Sequence, residues 1–274
     1  MSGFGDRLAA AVAGRESQIV LGLDPDPARV PGGASGAERF CRDLIAAAGP
    51  HCVAAKPQLA CFERFGADGW AAFEAVAAAA SDAGLMVIAD AKRGDIDATA
   101  RAYAEAFLRD PLDALTVNPM LGGDAMTPFI DAAVAGDRGL FVLVRTSNPG
   151  AGDLQDLLLA DGRPWHEAVA RLVATWGRAS VGPAGLSAVG AVVGATVPQR
   201  IAALRELMPH QVLLLPGVGA QGGKPEELGA AFGGRPAGAL VSVSRSIIYA
   251  DEPERAASDL RQTVWDAWRA AGAR

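Results

Sequence analysis

The chain has 274 residues, half of them hydrophobic and a fifth charged, with a formal net charge of −6. This composition suits a globular protein with one large core, and the absence of a basic block excludes nucleic acid as an expected partner. Three cysteines, Cys41, Cys52 and Cys61, form no CxxC pair and read as reduced thiols of a cytoplasmic protein.

From the N-terminus, residues 1–14 carry Asp6 and Arg7 before a short alanine-rich helix and lack the apolar centre of a signal peptide. Short apolar runs then recur at 19–23, 52–55, 86–89, 114–117, 140–144, 189–193, 212–215 and 239–243, each read as a strand. Amphipathic helices are expected between them at 37–48, 69–83, 96–109, 126–135, 165–178, 198–207 and 225–232. A last helix covers 254–270. The uncharged run 179–199 is long enough to cross a bilayer, but its glycines and prolines make it a loop followed by a buried strand. No membrane partner is expected. The connection 145–188 is unusually long and holds an extra loop, 150–164, before its helix.

Eight continuous apolar strands alternating with helices imply a parallel sheet covered on both faces. Their number and spacing favour one α/β domain, a (β/α)8 barrel over 1–274. No GxGxxG follows the first strand, which weighs against an open dinucleotide-binding sheet.

Catalytic groups of a barrel sit at the C-terminal ends of its strands. Those ends carry Asp24, Lys56, Asp90 with Lys92, Asn118, Thr146 with Ser147, Gln221 and Arg245. Strand alternation puts Asp90 and Lys92 on one side, and ionisable groups at the end of a buried strand need partners. Lys56, between apolar residues and Pro57, adds an ammonium and suggests an alternating carboxylate–ammonium array. The glycine-rich loop 216–223 and Arg245 after the last strand suit a phosphate, which barrels often bind between strands seven and eight. His51, His166 and His210 are scattered without metal-ligand spacing and read as solvated or core residues. The five tryptophans lie on helices and read as outer packing.

The segment Asp90-Ala91-Lys92-Arg93-Gly94-Asp95-Ile96, with Thr99 following, resembles the DxKxxDI…T signature of the orotidine 5′-phosphate decarboxylases. Leu21–Asp24, Lys56-Pro57, Ser147–Ala151, Pro216–Gly223 and Ser244–Ile247 match that family in order, and the wording of several segments resembles its longer bacterial subgroup. Many members place Gly where this chain has Ser244. The resemblance implies conversion of orotidine 5′-monophosphate (OMP) to uridine 5′-monophosphate (UMP), the last step of pyrimidine nucleotide synthesis, without metal or organic cofactor. It further implies Lys92 as proton donor to C6, with Asp90 beside it. Asp24 and Lys56 would bind the ribose and Ser147 the pyrimidine; Gln221, Ser244 and Arg245 would bind the phosphate. Asp95 and Thr99 would reach the neighbouring site of a homodimer. Asn118 stands among the substrate-binding candidates by its strand-end position alone.

Three rival readings stay open. Magnesium-dependent sugar-phosphate enzymes of the same superfamily carry a metal-binding glutamate near the end of strand two, where this chain has Lys56-Pro57-Gln58 and Glu63 lies further along. A Schiff-base aldolase would use Lys92 or Lys56 but needs a lowered lysine pKa rather than flanking carboxylates. A non-catalytic phosphosugar-binding protein would need the anion site without the lysine–aspartate array.

Overall fold

The apolar runs fold as eight parallel strands that close on themselves in sequence order: β1 (Ile19–Leu23), β2 (Ala54–Pro57), β3 (Met86–Arg93), β4 (Ala114–Val117), β5 (Gly139–Arg145), β6 (Val189–Val193), β7 (Leu213–Pro216) and β8 (Ala239–Val243). The barrel closes through pairing of β8 with β1, Val20 standing opposite Ser242. The computed structural model describes residues 3–196, 198–219 and 222–272. Its helices are α1 (Phe4–Arg15), α2 (Gly33–Ala48), α3 (Leu59–Glu63), α4 (Gly66–Asp82), α5 (Asp97–Phe107), α6 (Gly123–Ala135), α7 (Trp165–Trp176), α8 (Pro198–Leu207), α9 (Arg245–Ile248) and α10 (Pro253–Gly272).

Strand side chains alternate, so each strand feeds two cores. Inward residues such as Val20, Ala54, Ile88, Ala114, Phe141 and Leu240 fill the barrel, small beside large. Outward residues such as Leu21, Val87, Leu115 and Val142 meet the helix ring, where Phe62, Phe73, Phe107 and Phe129 are fully covered. The N-terminal mouth is plugged by α1: Phe4 packs edge-on against Phe141 with centroids 6.2 Å apart, and Arg7 donates to Asp113 at 2.8 Å. Only the C-terminal mouth is left for a ligand.

The expected strands correspond closely to those observed, with instructive shifts. The second begins at Ala54, because pairing with β1 sets Val20 against Ala54, and it therefore contains Lys56 opposite Gly22. The third runs on to Arg93, so Asp90, Lys92 and Arg93 lie inside the strand. The helix expected over 225–232 is two 3-10 turns, Pro225–Glu227 and Gly229–Phe232. A proline start and a central Gly229 leave too few residues to propagate an α-helix. The short helices α3 and α9, which carry no full amphipathic period, are additional. No described helix is long and apolar enough to cross a membrane.

Candidate active site

At the C-terminal mouth, Asp24, Lys56, Asp90, Lys92, Ser147, Ser244 and Arg245 converge on one cavity of about 450 Å³. Leu143, Val192 and Leu214, inward residues of β5, β6 and β7, supply its apolar lining. Of the residues read from the strand ends, Asp24, Lys56, Asp90, Lys92, Thr146, Ser147 and Arg245 line this cavity, because every parallel strand ends at the same rim.

Asp90 sits at the centre of the polar network. Its Oδ2 accepts from Lys56 Nζ at 2.5 Å and from Gln58 Nε2 at 3.1 Å. Its Oδ1 accepts from Lys92 Nζ at 2.6 Å and from Thr116 Oγ1 at 3.0 Å. Burial alone would raise the Asp90 carboxyl, but the charges of Lys56 and Lys92, and hydrogen bonds from both, hold it well below the usual carboxylate range. Burial likewise works against the Lys56 ammonium, yet Asp90 and Asp24 outweigh it and raise its pKa. Lys56 and Asp90 are therefore a buried, mutually charged pair. The lysines differ in access: 44 % of the Lys92 side chain is open, against 8 % for Lys56. Both lysines line the cavity, and Lys92 presents its ammonium there far more openly than Lys56.

The backbone that carries Lys92 is irregular. Ala89 pairs with Leu115 and Arg93 with Val117, so four steps on β3 face two on β4. This bulge contains Asp90, Ala91 and Lys92, and Lys92 takes the left-handed conformation at φ +49°. Such a conformation costs a non-glycine residue about 1–3 kcal/mol and persists where its surroundings enforce it. Asp90 and Lys92 do share one side, as alternation suggested, but the bulge rather than a regular strand brings them there.

Ser147 lies just past β5 on a segment tied down by the long connection. Gln155 Oε1 accepts the Thr146 N–H at 2.7 Å, and Gln155 Nε2 donates to Thr146 Oγ1 at 3.0 Å. Next to it, Asp156 receives two hydrogen bonds from Arg145 at 3.0 and 3.2 Å, with Arg200 and the buried His166 also against it. Hydrogen bonding by Arg145, reinforced by Arg200, holds the Asp156 carboxyl below its ordinary value. Gly194 at the end of β6 completes the seat, since a Cβ there would come within 2.8 Å of Ser147 Cα. The sequence signals of Gln155, Asp156 and Gly194 are too local to reveal these roles.

Across the cavity, Gly217 and Val218 after β7 face Ser242, Ser244, Arg245 and Ser246 from β8 onward. A Cβ on Gly22 would meet Ser244 Cβ at 2.9 Å, so Gly22 leaves the space that the Ser244 side chain uses. The Ser244 hydroxyl and Asp24 Oδ1 are buried without hydrogen-bond partners among the described residues. Among the described residues no carboxylate pairs with Arg245, leaving its guanidinium for an anion. Gln221 lies outside the described residues.

Asp95, Thr99 and Asn118 do not line the cavity of their own chain. Asp95 turns back to accept the Ile96 N–H at 2.8 Å, and Thr99 is exposed on α5. Asn118 Oδ1 accepts the Met120 N–H at 3.1 Å, closing the turn after β4. Two residues that the sequence did not single out, Gln58 and Thr116, touch Asp90 directly. Among the described residues no group of three or more His, Cys, Asp or Glu is placed to hold a metal ion.

The chain is similar in sequence and fold to known proteins. The family model described as "Orotidine 5'-phosphate decarboxylase / HUMPS family" matches residues 17–260. An orotidine 5′-phosphate decarboxylase of Haloarcula marismortui is 46 % identical, over 91 % of this chain and 88 % of the relative. One from Rhodopirellula baltica is 40 % identical over 99 % and 97 %. The solved structure of Leishmania donovani OMP decarboxylase has a TM-score of 0.84 at 36 % identity, covering 98 % of this chain and 100 % of that one. On these grounds the chain belongs to the orotidine 5′-phosphate decarboxylase / HUMPS family.

Proposed function

We propose that this chain decarboxylates OMP to UMP, with Lys92 protonating C6 of the pyrimidine. The observation that carries the reading is Asp90 held between the buried Lys56 and the open Lys92. Breaking the C6–carboxylate bond releases CO2 and leaves its electron pair on C6, a carbanion with no electron sink. The Lys92 ammonium offsets that charge as it develops and then gives C6 a proton, leaving a neutral amine that water reprotonates. Asp90 holds Lys92 in place. Standing near the substrate carboxylate, it also disfavours the ground state relative to the product side.

Asp24, whose buried Oδ1 has no partner among the described residues, and Lys56 bind the ribose. Ser147 hydrogen-bonds the pyrimidine, while Arg245 and the Ser244 backbone hold the 5′-phosphate, joined by Gln221. Binding of the phosphate, remote from the reacting C6, can supply energy to close the loop after β7 around the ring.

The active unit is a homodimer in which Asp95 and Thr99 complete the partner's site. Their position outside their own cavity supports this, as do the exposed apolar side chains of Ile96, Met120 and Leu121 nearby. The whole of 1–274 acts as one catalytic domain of the longer bacterial type. The free thiols of Cys41, Cys52 and Cys61 support a reducing, cytoplasmic setting.

A magnesium-dependent reading has less support. Gln58 occupies the end of β2 and is engaged with Asp90, while Glu63 is engaged with Arg93. UMP formation from OMP, followed spectrophotometrically with EDTA present, is the test. Turnover that persists in EDTA supports decarboxylation without metal. Turnover only of a sugar phosphate, and only with added magnesium, would transfer the chain to the other branch.

A further inference from the structure

The bulge in β3 creates a local problem that one side chain on the neighbouring strand solves. Lys92 has left the regular ladder, so its backbone N–H needs an acceptor other than a strand carbonyl. Thr116 lies between Leu115 and Val117, the two β4 residues that flank the bulge. Its Oγ1 accepts the Lys92 N–H at 3.0 Å. The same oxygen donates its proton to Asp90 Oδ1, also at 3.0 Å. Thr116 is 1 % exposed, so water cannot replace it.

These bonds fix the direction of the hydroxyl proton. An ionised carboxylate and a backbone N–H allow one arrangement only: the proton goes to Asp90 and a lone pair goes to Lys92. Lys92 Nζ returns to the same Oδ1 at 2.6 Å. The three groups therefore form a closed ring through one carboxylate oxygen, one hydroxyl and one left-handed residue.

We propose that Thr116 is a positioning residue of this array, holding both the Asp90 carboxylate and the backbone from which the Lys92 ammonium hangs. It lines the same cavity, with its hydroxyl proton committed to Asp90. A displacement of about 1 Å in a reacting group costs about a hundredfold in rate, so loss of this tie shows in turnover more than in affinity. The proposal rests on Lys92 as the proton donor.

Thr116→Val keeps shape and removes the hydroxyl; Thr116→Ser keeps the hydroxyl. With active sites counted by UMP binding, the valine variant should lose about thirtyfold to a hundredfold in kcat while KM for OMP moves less than about threefold. The serine variant should stay within about fivefold of the parent. A purely structural role would instead reduce the number of UMP-binding sites and spare kcat per site. That result overturns the proposal, as does a valine variant within about threefold of the parent or a serine variant as impaired as valine. A crystal structure of Thr116→Val tests the same point without any substrate. If Lys92 keeps φ near +49° and its contact with Asp90, Thr116 does not position it, whatever the chain decarboxylates.

Discussion

Arg93 pairs with Glu63 at the end of α3 and turns away from the cavity that its neighbour Lys92 enters. Its guanidinium lies 5.4 Å from the Tyr103 ring centroid and 5.5 Å from that of Phe107, both on α5, and its Nη1 donates to the Ala91 carbonyl at 3.0 Å. Adjacent residues of the same motif thus serve different ends. Lys92 faces the ligand, and Arg93 braces the bulge from the helix side.

Arg93→Ala should accordingly cost stability rather than recognition. Loss of the ion pair and the ring contacts amounts to about 1–2 kcal/mol, read as a lower urea midpoint, while KM for OMP moves less than about twofold. A tenfold rise in KM (about 1.4 kcal/mol) at unchanged stability would mean that the guanidinium reaches substrate.

Lys92→Ala should reduce turnover by several orders of magnitude while leaving UMP binding measurable by calorimetry. Binding survives because Arg245, Asp24 and Ser147 remain in the cavity. Activity within about tenfold of the parent, a loss of only about 1.4 kcal/mol, would remove Lys92 from the donor role.

Arg245→Ala tests the anion site through two substrates. OMP turnover should fall steeply through KM, whereas the very slow reaction of phosphate-free orotidine should scarcely change. Equal losses on both substrates would make Arg245 a structural residue of α9.

Complementation tests the shared site. Lys92→Ala and Asp95→Ala chains, each inactive alone, should regain about a quarter of parental activity when mixed equally and allowed to exchange. Half of the dimers are then mixed, and each of these has one intact site of two. Exchange shown by a fluorescent label, with no activity returning, would place Asp95 in its own chain's chemistry.

The buried pair also predicts a pH profile for stability. The folded Asp90 carboxyl lies below its unfolded value of about 3.9, so its contribution is complete above about pH 5 and is lost as pH falls below that value. Lys56 is raised, so its contribution is complete below about pH 10 and is lost only at higher pH. Urea midpoints between pH 3 and 7 should therefore fall more steeply for the parent than for an Asp90→Asn, Lys56→Met double variant. Parallel curves would show that another carboxylate dominates acid unfolding.

Much of this protein is legible in the amino-acid sequence because the relevant signals are local. Apolar runs of strand length alternating with amphipathic helices specify the barrel, and parallel strands deliver their last residues to one rim. Asp24, Lys56, Asp90, Lys92, Ser147 and Arg245 can thus be placed together without coordinates. Tertiary structure decided what depends on atoms distant in the chain. Register between β3 and β4 creates the bulge and brings Thr116 to Lys92, 24 residues away. Pairing of β1 with β2 draws Lys56 inside the strand, and the turn into α3 gives Gln58 to Asp90, 32 residues away. The long connection after β5 has the sequence of a mere insertion, yet in the fold Gln155 and Asp156 fasten it to Thr146 and Arg145. A periodic pattern tells which face a residue occupies. Which partner it meets there is set by register and by the closure of the barrel.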